Sequence, residues 1–401
     1  MPEAKRIVIL GSTGSIGTGA LSVVEAAPDD FDVVALSALR NTELLAEQAT
    51  RFGAKRVALG DLSEESEQSG GSATAATVRI DPADMPDGVE ILAGADGLEA
   101  LASDPTVDVV INALVGASGL GPALAAVRAG HRLAIANKES LVAAGELLTA
   151  LSTVTGSELV PIDSEHSAVF RCLRGVRPEE VAGITLTASG GPLRDAPVSK
   201  LATATVEDVL RHPTWEMGAK VTVDSATMFN KGLEVLEAHW LFGFDFDRID
   251  VVVHRESIVH SLVRLRDGSE LAHLGDPDMR VPIQYAMYYP DPPTVSFAGR
   301  SLAEVGALHF APLDESRYPC FSLALEAGRR GGTAPAIAAT ADECAVHAFV
   351  ERRLPFGGIA AVIEGALERT PSGAAESLEA IRAAETEAAA IASELIAELA
   401  T

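Results

Sequence analysis

The sequence predicts an α/β protein in three parts: an N-terminal parallel, doubly wound sheet, a central α+β segment and a C-terminal helical bundle. Three observations predict it. Over the first 150 residues short apolar runs alternate with amphipathic helical patterns. From about residue 151 strand-like runs follow one another across short glycine or polar turns. Past a proline-rich stretch at 288–297 the chain becomes helical and rich in Ala and Glu. The divisions drawn from these changes are 1–152, 153–298 and 299–401.

The runs KRIVIL, FDVVAL, KRVAL, VEIL, VDVVINAL and HRLAIA read as strands, with amphipathic stretches such as 16–27 and 41–52 between them. Alternating β and α units imply a parallel sheet, because each helix carries the chain back to start the next strand in the same direction. The arrangement is Rossmann-like. Residues 61–79, DLSEESEQSGGSATAATVR, are acidic and rich in Ser and Gly, and read as an inserted surface loop. In the central part ELVPI and GITLTAS read as strands and 225–242 as one strong helix. RIDVVVH, SIVHSLVRL and ELAHL resemble antiparallel strands, the last entered through the turn Asp267-Gly268. YYPDPPTVSF reads as a linker. Beyond it Pro319–Arg330, 334–352, 359–368 and 373–399 have helical composition and, on this reading, pack as a small bundle.

Composition narrows the function. Hydrophobic residues make up 47% of the 401 and charged residues 22%, which places the chain among globular proteins. No apolar run approaches the roughly 18 residues a membrane span needs. The opening MPEAKRIVIL enters an apolar strand almost at once, which predicts no signal or transit peptide and a cytoplasmic location. Cys172, Cys320 and Cys344 are scattered and odd in number, against a disulfide framework or a zinc knuckle. Fifty-seven acidic against 31 basic residues give a formal charge of −26, which repels nucleic acid and anionic membranes. The same surface suits a salt-rich cytoplasm or an ordinary acidic protein equally. An anionic substrate then has to be captured by local cations and backbone amides.

The first strand leads into GSTGSIG, residues 11–17, and then a helix. Glycines there permit a tight turn and let backbone amides approach a pyrophosphate at the helix N-terminus. The spacing GxxGxxG is less specific than GxGxxG, but its place between first strand and first helix favours dinucleotide binding. At the end of the second strand an NAD enzyme usually carries an acid for the ribose hydroxyls. Here the chain reads Ser37, Ala38, Leu39, Arg40, Asn41. Arg40 is suited to an extra phosphate, so the expected cofactor is NADP(H).

After ELVPI come Asp163, Ser164, Glu165 and His166. If the segment is extended, Asp163 and Glu165 point to one side and converge at a strand's carboxyl end. Two like charges so close call for a cation, and oxygen ligands without a thiolate suggest Mg or Mn rather than zinc. The same pair would equally serve as a helix cap with a solvated acid. His166 reads as a supporting residue rather than a ligand. A third acid lies in the helical segment, where Asn230 and Glu234 are i,i+4 neighbours with Lys231 beside them. That trio, by itself, would also fit a solvated face opposite Met228, Leu233, Leu236 and Trp240.

Three further stretches look suited to an anion or a lid. Ser189-Gly190-Gly191-Pro192 offers a hydroxyl and successive amides that form a phosphate nest, with Ser225, Asn230 and Lys231 as further donors. In HPTWEMG, residues 212–218, an imidazole, an indole and a thioether beside glycine suggest a loop that excludes water, or an exposed loop with one anchored aromatic. Lys138 in ANKES stands at a strand's carboxyl end, within reach of a ligand.

Taken together, GSTGSIG, ANKES, DSEH, SGGP, HPTWEMG, VDSATMFNKGLEVLEAHWLF and LGDPDMR resemble, in order and over most of the chain, the 1-deoxy-D-xylulose 5-phosphate reductoisomerase family. The resemblance implies an NADPH domain, a catalytic and dimerising domain with an active-site loop, and a helical domain. It implies NADPH contacts from Thr13, Gly14, Ser15, Ile16, Arg40, Asn41, Asn137, Glu139 and Gly218. It makes Asp163, Glu165 and Glu234 ligands of a divalent Mg or Mn. Lys138 and Ser164 would meet the substrate near that metal. Ser189, His212, Ser225, Asn230 and Lys231 would hold its phosphate, and Trp215 would cover its carbon chain. Lys138, Asp163, Glu165, Glu234 and His212 form the implied catalytic set, and the implied partners are a small phosphorylated substrate and a second copy of the chain. Two stretches depart from the family pattern: His254-Arg255-Glu256-Ser257 stands for an expected HPQS, and Ala339 to Glu343 read ATADE for NAANE. Neither includes an implied ligand; both bear on the expected dimer surface and its hydrogen bonding. Other readings are a semialdehyde or homoserine dehydrogenase, which needs a catalytic Cys or a different Lys pair, and a non-enzymatic nucleotide sensor, which has no use for three acids.

Overall fold

A computed structural model describes residues 4–59, 85–211, 218–297 and 299–399. The acidic stretch 61–79 and the segment 212–217, with His212 and Trp215, lie outside the described residues. The chain divides into two compact units: Met1–Ser140, Glu146–Ser167 and Asp278–Ala298 form the first, and Leu141–Gly145, Ala168–Pro277 and Gly299–Thr401 the second.

The first unit is built on a seven-stranded sheet of β1 (Lys5–Leu10), β2 (Phe31–Ala38), β3 (Arg56–Leu59), β4 (Glu90–Ala93), β5 (Val109–Asn112), β6 (Arg132–Ile135) and β7 (Leu159–Pro161). Their order is β4-β3-β2-β1-β5-β6-β7 and every pairing is parallel. Central strands of such a sheet are covered on both faces, hence the unbroken apolar runs: Ile7 to Leu10 and Val109 to Ile111 have no exposed surface. The connecting helices are α1 (Ser15–Ala26), α2 (Thr42–Phe52), α3 (Gly94–Ala102), α4 (Leu120–Arg128) and α5 (Lys138–Thr155). Because all strands run one way, the residues that follow β1, β2, β5, β6 and β7 emerge along a single edge of the sheet. The strand order reverses at β1 and β5, and ligands of open α/β sheets bind at such a switch point. The strand predicted from ELVPI forms, but it pairs with β6 at the edge of this first sheet. Three apolar residues fit either sheet, so the run alone did not place it.

After β7 the chain turns into α6 (Ser164–Cys172). The second unit carries a five-stranded sheet of β8 (Val181–Ala188), β9 (Ile249–His254), β10 (Val259–Leu265), β11 (Glu270–Leu274) and β12 (Phe310–Pro312), in the order β11-β10-β8-β9-β12. The hairpin through Asp267-Gly268 is as expected, with β10 antiparallel to β11 and β8. β9, however, runs parallel to β8, because helices intervene between those two strands.

Two short helices, α7 (Val198–Leu201) and α8 (Val206–Val209), precede α9 (Ala219–Thr227) and α10 (Phe229–Phe242). The single helix predicted over 225–242 is therefore two. Met228 breaks it with φ +60, a left-handed conformation that costs a non-glycine residue energy and is held here by burial of its side chain. After α11 (Arg280–Tyr288), which belongs to the first unit, and the short α12 (Leu302–Val305), the chain ends in α13 (Pro319–Arg330), α14 (Ala334–Val350), α15 (Gly358–Arg369) and α16 (Leu378–Leu399). These four helices share one hydrophobic cluster with Phe229, Leu233 and Leu236 of α10. The contact is close: a Cβ on Gly232 would stand 2.5 Å from Ala324 Cβ. The proline-rich stretch at 288–297 is anchored to the first unit, since Tyr288 Oη and Thr294 Oγ1 each donate to Asp30 Oδ2 at 2.5 Å. Among the described residues no helix is long and apolar enough to cross a membrane.

Phe229 has no exposed surface and joins α10 to the C-terminal helices. Phe229→Ala is expected to lower the unfolding free energy by about 3–5 kcal/mol in urea titrations. A loss under about 1 kcal/mol would show that this cluster is not a cooperative core.

Candidate active site

The glycine turn between β1 and α1 is fixed from several sides. Gly11 has φ +82, and a Cβ there would stand 2.6 Å from Ala113 O. A Cβ on Gly17 would stand 2.3 Å from Gly11 O, so the turn is too tight for a side chain at either end. Ser37 Oγ accepts from Gly11 N at 3.0 Å, and Gln48 Nε2 donates to Ser12 O at 3.0 Å. Gly14 is the N-cap of α1 and supplies no side chain to it. The leading amides of α1, those of Ser15 and Ile16 among them, are thus left uncapped by any side chain, which suits an anion. Thr13 flanks them. Arg40 is exposed just after β2, the strand beside β1. Asn41 next to it caps α2, accepting from Leu44 N at 3.1 Å.

β6 and β7 are neighbours, so the residues after them meet. Lys138, the first residue of α5, forms an ion pair with Asp163 Oδ2. The acids do not sit in an extended segment. Ser164 starts α6, Asp163 precedes it, and Asp163 Oδ1 accepts from Glu165 N at 3.3 Å in the manner of an N-cap. Ser164 Oγ donates to Glu165 Oε2 at 2.5 Å. The alternating-side argument for Asp163 and Glu165 is therefore replaced by a helix start, whose dipole favours both carboxylates. His166 is fully buried, its Nδ1 3.8 Å from Asp163 Oδ1. Asn137 has its side chain committed: Oδ1 accepts from Ser140 N, and Nδ2 reaches Leu114 O, Gly116 O and Glu139 Oε2, each at 3.0 Å.

In the second unit Asn230, Lys231 and Glu234 share one face of α10, and the face is not solvated. Glu234 is 2% exposed and Lys231 5%. Lys231 Nζ pairs with Glu234 Oε2 and donates to Thr187 O at 2.6 Å, while Asn230 Nδ2 donates to Glu234 Oε1 at 2.5 Å. A buried carboxylate needs such partners, because desolvation would otherwise drive it to the neutral form. Ser189 to Gly191 follow β8 in a nest with φ +82 at Gly190 and +70 at Gly191. Gly191 lies directly on α9: a Cβ there would stand 2.3 Å from Ser225 O. Gly218 is the N-cap of α9 and supplies no side chain.

Two arginines absent from the sequence reading hold this nest. Arg194 Nη1 donates to Ser189 O at 2.7 Å, and Arg317 Nη2 reaches the carbonyls of Leu193, Arg194 and Ala196 at 3.4, 3.3 and 2.8 Å. No local pattern marks Arg317, which arrives from just before α13. The two departures also bear on these segments. Arg255 pairs with Asp195 beside the nest and holds its carboxyl below the usual range. Asp342 is buried against Lys220 of α9.

Fold and site define an α/β oxidoreductase of the dinucleotide-binding class, with carboxylates and an anion nest outside the nucleotide turn. Family models described as 1-deoxy-D-xylulose 5-phosphate reductoisomerase match residues 7–145, and those of its C-terminal domains match 159–242 and 274–391. The chain is 48% identical to the 1-deoxy-D-xylulose 5-phosphate reductoisomerase of Geobacillus kaustophilus, over 96% of this chain and 98% of the relative. It is also 48% identical to that of Gloeobacter violaceus, over 94% and 93%. Among solved structures it is similar to the Zymomonas mobilis enzyme in complex with NADPH, with TM-score 0.86, 37% identity and coverage of 98% and 99%. A DOX-P reductoisomerase in complex with NADPH, fosmidomycin and magnesium gives TM-score 0.88 at 35% identity, with the same coverage. The chain belongs to the 1-deoxy-D-xylulose 5-phosphate reductoisomerase family.

Removing the ammonium from the Lys231–Glu234 pair isolates a buried charge. Lys231→Met is expected to destabilise the protein by about 3 kcal/mol, and Lys231→Met with Glu234→Gln by clearly less. Strictly additive losses in urea unfolding would show that the two side chains do not depend on each other.

Proposed function

We propose that this chain rearranges 1-deoxy-D-xylulose 5-phosphate at a divalent metal and reduces the product with NADPH, giving 2-C-methyl-D-erythritol 4-phosphate for the non-mevalonate isoprenoid pathway. The observation that carries this reading is membership of the family over nearly the whole chain, with all seven motifs in order.

The residues present fit both groups. The uncapped N-terminus of α1 and the tight turn at Gly11 to Gly17 suit a pyrophosphate, and Arg40 supplies the cation for a 2′-phosphate. For the metal, Asp163, Glu165 and Glu234 would supply oxygen ligands only, a chemistry that fits Mg or Mn. A divalent cation, when bound, supplies Lewis acidity to the substrate oxygens as the carbon skeleton rearranges. NADPH supplies the hydride that reduces the resulting aldehyde. The chain's own groups do the rest. Lys138 Nζ, paired with Asp163, holds a proton for a substrate oxygen on this reading. Ser164 hydrogen-bonds the substrate beside Glu165. Ser189, Ser225, Asn230, Lys231 and His212 hold the phosphate, and Trp215 covers the carbon chain and excludes water. Phosphate contacts remote from the reacting carbons supply orientation. Thr13, Gly14, Ser15, Ile16, Arg40, Asn41, Glu139 and Gly218 line the nucleotide, and Asn137, its side chain committed elsewhere, contributes through its backbone.

In functional terms the chain is read as an NADPH segment (1–152), a catalytic segment (153–298) and a helical segment (299–401). It acts in the cytoplasm as a homodimer. Leu271 and Leu274 on the edge strand β11, each 37% exposed, support an interface between copies along that edge of the second sheet.

The reading is tested by following NADPH oxidation with 1-deoxy-D-xylulose 5-phosphate, with and without Mg or Mn. Turnover should require metal, and Asp163→Asn and Glu234→Gln should each lose at least about 100-fold in kcat. NADPH binding, followed by fluorescence, should persist in both variants. Unchanged rates in either would eliminate it as a metal ligand. Separately, Arg40→Asp should weaken NADPH by about tenfold or more and leave NADH nearly unaffected. Equal losses for both nucleotides would show that Arg40 does not read the phosphate.

A further inference from the structure

Helix α2 carries a polar side chain where its packing calls for an apolar one. Leu45, Gln48 and Ala49 are its buried residues, spaced three and four apart on the face packed against β2 and β3. Gln48 is 6% exposed, and an amide so placed is costly unless both of its ends are bonded. Both are. Nε2 donates to Ser12 O at 3.0 Å, and Oε1 accepts from Ser12 Oγ at 2.7 Å. One side chain thus holds the carbonyl and the hydroxyl of a single residue, the second of the glycine turn.

Ser12 is held from β2 as well. Its N donates to Ser37 O at 2.8 Å, and Gly11 N donates to Ser37 Oγ at 3.0 Å. Ser12 and Ser37 have no exposed surface, whereas Gly14 and Ser15 are exposed. The turn is therefore gripped at its buried end, and the uncapped amides that begin α1 lie at its exposed end. A primary amide suits the grip because Ser12 O takes a donor while Ser12 Oγ–H takes an acceptor. A carboxylate has no donor, a methionine of similar length has neither group, and asparagine is one methylene shorter.

We propose that Gln48 is a positioning residue for the cofactor: by bonding Ser12 from α2, it presets the turn between β1 and α1 to the shape that receives a pyrophosphate. It acts through Ser12 and makes no contact with the nucleotide. The proposal rests on the reading above that NADPH lays its pyrophosphate on this turn. Without the amide, Ser12 O loses the donor that Gln48 supplies, while Ser12 Oγ keeps Ser37 O at 3.2 Å. A buried carbonyl so treated favours turn shapes that reach water, and the nucleotide has to reverse that shift when it binds. The pyrophosphate is common to NADPH and NADH. Loss of Gln48 therefore weakens both nucleotides alike, whereas loss of Arg40, beside the N-cap Asn41 of the same helix, discriminates between them.

The experiment compares the full-length enzyme with Gln48→Met, which keeps the length of the side chain and removes both hydrogen bonds. NADPH and NADH are titrated by their fluorescence with no substrate present. Both dissociation constants should rise by about tenfold, and by the same factor. In steady state the KM for NADPH should rise likewise, with kcat within about twofold of the wild type. In protein free of nucleotide, the amides of Ser12 and Gly14, bonded to Ser37 O and Gly11 O, should exchange with deuterium about tenfold faster in the variant. Equal exchange in the two proteins, unaltered dissociation constants or a loss confined to NADPH overturns the proposal. So does a fall in kcat with the KM for NADPH unchanged. If Gln48→Met does not fold, Ser12→Ala decides by the same titrations: it removes only the bond to Oε1 and should weaken both nucleotides about threefold, and no loss overturns the proposal. Failure of the pyrophosphate reading looks different. NADPH would then leave the amides of Gly14, Ser15 and Ile16 unprotected in the wild type, while the exchange difference at Ser12 would persist.

Discussion

Several carboxylates taken out of water in this protein are found against a lysine. Asp163 rests on Lys138, Glu234 on Lys231, and Asp224 with Asp342 on Lys220. The cation opposes the cost of desolvation, which otherwise favours protonation, and a protonated acid is a poor metal ligand and a poor helix cap. In a chain of charge −26 most acids are surface groups with water for company. For these few the fold brings a cation. It does so economically, from the adjacent strand end for Asp163 and from the same helix for Glu234 and Asp224.

The same constraint explains where anions can go. A net negative surface opposes a phosphorylated substrate and a dinucleotide alike, so attraction has to be local. On the proposed reading the sheet supplies it at the end of β1, where the leading amides of α1 are uncapped, and the second unit supplies it after β8, around two left-handed glycines. These are backbone sites. Their cost in conformational entropy is met by tight surroundings: Gln48 and Ser37 for the first turn, Arg194 and Arg317 for the second.

Much of this was legible beforehand, for reasons tied to particular residues. The apolar runs of β1 to β6 are long enough to declare strands, and the alternation with helices declares their direction. The helix at Pro319–Arg330 was readable from proline at its first position and arginines at its end. What escaped depended on contacts between remote residues. Whether ELVPI joined the first or second sheet is decided by its pairing with β6. The break at Met228 was hidden because nothing in VDSATMFNKGLEV advertises a left-handed residue, and only packing around the buried Met228 holds it. For Asp163 and Glu165 the sequence leaves two readings open, an extended segment and a helix cap, and the structure takes the second. Asp342 sits in an alanine-rich helix where a lone acid looks solvent-facing; its burial follows from Lys220.

This dependence on remote partners bears on how the site is kept rigid. Helix α10 is pinned along one side by the C-terminal helices, through Gly232 and Phe229, and carries Lys231 and Glu234 on its polar side. Helix α9 is pinned by α14 through a charge cluster instead of an apolar contact. An apolar contact holds a helix at every pH, whereas a charged one holds it only in one protonation state. On the proposed reading, the helix that carries the metal ligand Glu234 is thus fixed unconditionally. The helix that carries Ser225 is held through the ion pair of Lys220 with Asp342. The C-terminal segment, which contributes no ligand of its own, thereby governs the site in two physically different ways.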